Sequence, residues 1–285
     1  MSAFRSLLFV PGDSERKIAR ALHGDADALI LDLEDSVAPA RKENARRMVA
    51  AVEGGAKSLF VRINALAEGM AEADIAAAMA ARPFGIVLPK SGSGRDVAAL
   101  DAMLQVAEAE AGVEEGSTAV LAIATETAAA TLATHTYGDA SPRLWGMTWG
   151  AEDLATDLGA IEKRDGAGRY RDPFRFARMR CLFGAVAAEV APVDTVFPDF
   201  RDEAGLRREC EEAATDGFTA KMAIHPAQVG PINEAFTPGE DALAEARVVV
   251  QAFEAAGDAG VVALEGRMLD RPHLTLARRL LARAR

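Results

Sequence analysis

Eight short apolar runs recur along the chain and constrain its fold more than any other feature. They are SLLFV (6–10), ALILDL (28–33), LFVRI (59–63), GIVLP (85–89), AVLAIA (119–124), LWGMTW (144–149), DTVFP (194–198) and KMAI (221–224). Each has the length of a strand buried on both faces, the kind found in parallel sheets. Ala-, Arg- and Glu-rich segments of helical spacing separate most of them. RKENARRMVAAVEG, ending at Gly54 and Gly55, and SGRDVAALDAMLQVAEAEAG, ending at Gly112, read as helices with glycine C-caps. A repeat of roughly 25–35 residues suits βα units, and eight of them predict an α/β fold, a closed (β/α)8 TIM barrel. No GxGxxG follows the first run, which weakens an open dinucleotide-binding sheet.

One interval is longer, residues 150–193, and with EKRDGAGRYRDPFRF it reads as an excursion over the barrel mouth. After the eighth run, EDALAEARVVVQAFEAAG is an amphipathic helix, followed by the tail VVALEGRMLDRPHLTLARRLLARAR. The expected organisation is a catalytic barrel over 1–235 and a C-terminal helix and lid segment over 236–285.

A net charge of −11 argues against a nucleic-acid or anionic-membrane surface, because no basic field offsets the acid. Cys181 and Cys210 are the only cysteines, too few for a disulfide framework or a cysteine zinc site. No apolar stretch approaches the length of a membrane span, and the short run before Pro11 does not read as a signal peptide. The expectation is a soluble cytoplasmic protein that works on small molecules.

In a parallel barrel the C-terminal strand ends share one face, where enzymes of this architecture build their sites. The runs here end in Asp13, Glu34 and Asp35, Arg62 and Asn64, Lys90, Glu126, Glu152 and Asp153, Asp199 and His225. Glu126 and Asp153, read as lying on consecutive strands, can hold one divalent cation. Hard carboxylate ligands without clustered His or Cys favour Mg²⁺ or Mn²⁺ over zinc. Arg62 offers a fork for a carboxylate or an enolate oxygen. Arg16 and Lys17, just past the first strand, are candidate phosphate contacts. Structural readings stand beside these: Asp13 and Ser14 as helix caps, Glu34, Asp35 and Arg62 as a rim ion-pair network, Lys90, Arg16 and Lys17 as surface charges, and His225 as a satisfied turn residue.

At these residues the chain resembles the citrate lyase β-subunit-like CoA-ester lyases of the HpcH/HpaI aldolase superfamily. The matching stretches are RSLLFVPGDSERKIARAL, DALILDLEDSVAP, LFVRIN, GIVLPK, ATETAAA, WGAEDL and KMAIHPAQV, in order, with GRMLDRPH in the tail. The resemblance implies a (β/α)8 barrel, a homotrimer or hexamer, and Mg²⁺-dependent cleavage or formation of a carbon–carbon bond in a CoA thioester such as malyl-CoA or citramalyl-CoA. It implies Glu126 and Asp153 as metal ligands, with Glu126 also facing substrate, and Arg62 as the substrate-binding arginine. Glu34 and Asp35 would orient Arg62 or metal-bound waters. Asp270 matches an acid that such tails carry to a neighbouring subunit's site; without the resemblance it reads as a helix-initiating turn residue. Alternatives are a malyl-CoA thioesterase at the same metal site, a citrate lyase β subunit working in a complex, a CoA-independent pyruvate aldolase, and a non-catalytic barrel.

Overall fold

The computed structural model describes residues 4–52, 57–257, 259–264 and 266–284. The helix end expected at Gly54 and Gly55 lies outside them. The chain divides into two compact units, Phe4–Asn233 and the residues from Glu234 onward.

In the first unit eight parallel strands close into a barrel in sequence order, β1 pairing with both β2 and β8. They are β1 (Ser6–Pro11), β2 (Ala28–Asp32), β3 (Ser58–Arg62), β4 (Gly85–Leu88), β5 (Ala119–Ile123), β6 (Leu144–Thr148), β7 (Ala191–Asp194) and β8 (Ala220–Ala223). The intervening helices are α1 (Glu15–Leu22), α2 (Lys42–Ala50), α3 (Ala71–Ala80), α4 (Gly94–Ala111), α5 (Ala128–Leu132), α6 (Ala151–Leu158), α7 (Asp172–Ala187) and α8 (Glu203–Asp216), with α9 (Val229–Ala235) after β8. Ser93 and Asp96 close a capping box at the start of α4, and Gly112 ends it in the left-handed region at φ +64°.

Side chains from all eight strands fill the interior: Leu7, Ala28, Ile30, Phe60, Val87, Leu121, Ile123, Trp145, Val193 and Met222. Phe4, Phe60, Phe84 and Trp145 meet with ring centroids 5.1–6.1 Å apart, mostly edge to face. This packing closes the end of the barrel from which Phe4 and Phe84 enter their strands. The opposite end, where the strands finish, is left for polar groups.

One expected strand is displaced. The run at 194–198 is mostly past the ladder, and β7 occupies Ala191–Asp194 instead. Gly146 and Met147 pair with Ala191 and Pro192, and Val193 pairs with Ala220. The run's apolar residues are covered another way: Phe197 is buried, Val196 packs half-buried on the barrel core, and Thr195 and Val196 help to line the mouth. Only 150–153 of the long excursion line that mouth. Its turn folds back through an Arg164–Tyr170 bridge, and Arg164 pairs with Glu209 of α8 at 2.7 Å.

The second unit packs α10 (Glu240–Ala255) and α11 (Arg271–Leu281) around Val249, Phe253, Leu274 and Ala277. Between them β9 (Val261–Leu264) and β10 (Arg267–Asp270) form an antiparallel hairpin in which Val262 and Leu269 face the same small core. The helices match the sequence reading; the hairpin is an addition to it. Among the described residues no helix is long and apolar enough to cross a membrane.

Candidate active site

Inward positions on a strand recur every second residue. Ile30 and Phe60 face the barrel core, so the next inward positions are Asp32 and Arg62, which are register partners at the ends of β2 and β3. Arg62 Nε and Nη2 each donate to an Asp32 carboxylate oxygen at 2.7 Å. Its Nη1 lies 2.9 Å from Glu34 Oε2 and 3.7 Å from Asp35, and its guanidinium sits 4.8 Å from the Phe9 ring centroid. Burial pushes the Asp32 carboxyl up, but the Arg62 hydrogen bonds and charge outweigh it and hold Asp32 below the usual range. Burial likewise works against the Arg62 charge, and Asp32, Glu34 and Asp35 more than restore it. The guanidinium is therefore a fixed cation.

Glu126 follows β5 and is buried against the next loop. A Cβ on Gly150 would stand 2.6 Å from Glu126 Cγ, so only glycine there lets the carboxylate lie where it does. The Lys90 N–H donates to Glu126 Oε2, and Lys90 Nζ reaches Glu34 Oε1 at 2.5 Å. Lys90 does both from a left-handed backbone, φ +50°, a strained conformation for a residue with a side chain. Burial, then the nearby Asp153 charge, pushes the Glu126 carboxyl up to about 8, although the Lys90 N–H pulls it down. Glu34 is also raised, chiefly by burial, and its Oε2 receives no aligned hydrogen bond despite the adjacent Arg62.

Asp153 differs from its expected position. It is not on a strand but in the first turn of α6, capped by Gly150, because β6 stops at Thr148 and the chain turns at once into helix. A carboxylate suits a helix N-terminus, and there it faces the same space as Glu126. That space is a cavity of about 410 Å³ lined by Asp32, Asp35, Arg62, Glu126, Trp149 and Asp153, among others.

The donor set fits a magnesium ion. The mouth gathers Asp32, Glu34, Asp35, Glu126 and Asp153 against Arg62 and Lys90, an excess of negative charge. Glu126 and Asp153 are hard oxygen donors near enough to share a proton, a pairing that a divalent cation would relieve. Among the described residues no group of three or more His, Cys, Asp or Glu side chains could hold a metal. A cation would thus rest on these two carboxylates and keep positions for water or substrate, as Mg²⁺ commonly does.

Arg16 and Lys17 are exposed on α1 and do not line the cavity. Asp270 belongs to the C-terminal unit, where it is half exposed at the end of β10 and caps α11. His225 caps a short turn through Ala227 N and stacks on Phe200, ring centroids 4.6 Å apart. Sequence reasoning missed Asp32, Gly150 and the backbone role of Lys90. Asp32 did carry a signal, a lone acid at inward parity in an apolar run.

Residues 5–226 match the family model described as HpcH/HpaI aldolase/citrate lyase. Over 99% of its length the chain is 35% identical to a (3S)-malyl-CoA thioesterase of Cereibacter sphaeroides, covering 94% of that protein. It is 34% identical to the L-malyl-CoA/β-methylmalyl-CoA lyase of Rhodobacter capsulatus, over 93% of this chain and 90% of the other. The fold matches the crystal structure of CitE from Mycobacterium tuberculosis in complex with magnesium, acetoacetate and coenzyme A. That match has a TM-score of 0.82 and 34% identity, and it covers 99% of this chain and 98% of the other.

Proposed function

We propose, on the premise that this chain belongs to the HpcH/HpaI aldolase/citrate lyase family, that it is a magnesium-dependent CoA-ester lyase. It cleaves, and in reverse forms, the carbon–carbon bond of a 3-hydroxyacyl-CoA such as malyl-CoA or citramalyl-CoA, giving an acyl-CoA and a 2-oxoacid. One observation carries the reading: a rigidly held guanidinium, Arg62, shares a cavity with the Glu126–Asp153 carboxylate pair.

In cleavage the bond's electron pair passes to the thioester as an enolate, and the hydroxyl-bearing carbon becomes the keto carbon. The hydroxyl proton leaves to solvent, and a proton is added at the enolate carbon. Glu126 and Asp153 would hold the Mg²⁺, which when bound would supply Lewis-acid polarisation of the hydroxyacid oxygens. Arg62 presents its free N–H donors to the charge developing on the thioester oxygen. Asp32 and Glu34 stop the guanidinium from turning away, and Lys90 fixes both Glu34 and Glu126. Asp270 is the acid that protonates the enolate carbon, or the base that deprotonates acetyl-CoA in synthesis. It is delivered to the site of a neighbouring copy by the 236–285 segment, which makes the working form a homo-oligomer, trimer or hexamer. Arg16 and Lys17 meet the CoA phosphates. The place of action is the cytoplasm.

A second reading is hydrolysis of malyl-CoA at the same site, favoured by the similarity to the Cereibacter thioesterase. Water would then add to the thioester carbon and the carbon–sulfur bond would break. Mass spectrometry of acyl-CoA species decides between them, with Mg²⁺ and malyl-, citramalyl-, methylmalyl- and citryl-CoA as substrates. Acetyl- or propionyl-CoA with a 2-oxoacid is the lyase result. Free CoA with intact hydroxyacid makes the protein a thioesterase, and no turnover of any thioester sinks both.

A further inference from the structure

The helix that carries Asp270 begins with an unusual cap. In a capping box the third helical residue is ordinarily Glu or Gln, which reaches back to the N-cap N–H. In α11 that residue is His273, with Pro272 fixing the turn before it. The Asp270 N–H donates to His273 Nδ1 at 3.2 Å. The same Nδ1 lies 2.5 Å from Asp270 Oδ1.

Two acceptor lone pairs do not approach that closely; a hydrogen must lie between them. Nδ1 without a hydrogen accepts the backbone N–H; with one it donates to the Asp270 carboxylate, and the 2.5 Å separation selects the second role. Both side chains are about half exposed, so the pair is built at a surface that a substrate in another copy can reach.

We propose that His273 is the positioning residue of the acid. Its Nδ1–H holds the Asp270 carboxylate at the helix start and aims it. In synthesis the aimed carboxylate takes the proton of the acetyl methyl and passes it to water, and cleavage runs the same transfer backward. The proposal rests on the reading of Asp270 as the acid.

The test is steady-state kinetics of full-length His273→Leu, His273→Gln and Asp270→Asn with Mg²⁺ and malyl-CoA, with melting temperatures measured in parallel. Leucine removes the donor. Glutamine restores one, because its side-chain NH2 can donate to the carboxylate while its oxygen accepts the backbone N–H. His273→Leu is expected to lose about tenfold in kcat with KM unchanged, a fraction of the ~10²-fold or more carried by a general acid. His273→Gln, folded like wild type, is expected to recover most of that loss. Wild-type kcat in His273→Leu overturns the proposal, as does a glutamine variant no better than leucine at equal melting temperature. If Asp270→Asn is inactive while His273→Leu is normal, the reading of Asp270 stands and only this inference falls. If Asp270→Asn turns over normally, both fall.

Discussion

Arg62 and Asp32 face each other across neighbouring strands as register partners, joined by two hydrogen bonds of 2.7 Å. The pair is nearly buried, with 12% and 2% of the side chains exposed. Lysine keeps the charge of Arg62 but cannot fill a fork of this geometry. Arg62→Lys is expected to lower kcat/KM for malyl-CoA by about 10²-fold, the scale of removing one preorganised donor to a developing oxyanion. Asp32→Asn, which leaves the guanidinium part-paired, should cost about 3 kcal/mol of stability, read from denaturant melts. Wild-type values for both variants would remove Arg62 from the mechanism.

Gly150 makes room for Glu126. Its φ of −121° suits any residue, so the cost of Gly150→Ala is one of space alone. The alanine methyl displaces the carboxylate and with it the metal ligand proposed there. Thermal melts across a Mg²⁺ titration check this: wild type should rise with Mg²⁺ and the variant should respond only at much higher concentration. An unchanged Mg²⁺ response would place the metal elsewhere.

Chelation follows from the same donor set. EDTA is expected to abolish turnover, and Mg²⁺ or Mn²⁺ to restore it, in wild type but not in Glu126→Ala. Activity that survives exhaustive chelation would argue against a metal on Glu126 and Asp153.

Arg16 and Lys17 are exposed, so the CoA-phosphate contact proposed for them would be a binding term common to ground and transition states. The Arg16→Ala/Lys17→Ala double variant should raise KM for the thioester about fivefold and leave kcat unchanged. The gap should shrink at high salt. Equal KM values at low salt would return both residues to the plain surface.

Away from the mouth, Glu108 of α4 sets an acid limit on stability. It accepts from Arg143 Nη1 and Nη2 at 2.7 Å each and from the N–H groups of Gly116 and Thr118 at 2.8 Å each. Burial raises the carboxyl, but these bonds outweigh it and hold it at about 2 against an ordinary 4.5. A carboxyl depressed by folding stabilises the native state above its unfolded pKa. That stabilisation is lost as pH falls from 4.5 towards about 2. Urea midpoints across this window should fall more steeply for wild type than for Glu108→Gln, which should already be weaker at neutral pH. Parallel slopes would exclude Glu108 as the source.

Much of the candidate site was legible before folding was known. A residue that ends an apolar strand of a parallel barrel must come to one rim, whatever its partners, so Arg62, Glu126 and Asp35 could be placed together from spacing. The displaced β7 shows the limit of that argument. An apolar run records burial, and Val196 is half-buried by the mouth rather than by the ladder. Asp153 reached the cavity from a helix turn rather than a strand end, because Gly150 starts α6 at once.

The sequence by itself determined the barrel, because hydrophobic period and segment length are local properties of the chain. It also determined which residue types gather at the rim, because strand direction is common to all eight strands. Only the tertiary structure decided the pairings: Asp32 with Arg62, the Lys90 N–H with Glu126, and Gly150 against Glu126. Register, backbone sign and a few tenths of an ångström of free space set such contacts. These depend on how segments far apart in the chain settle against each other, and no local pattern encodes them.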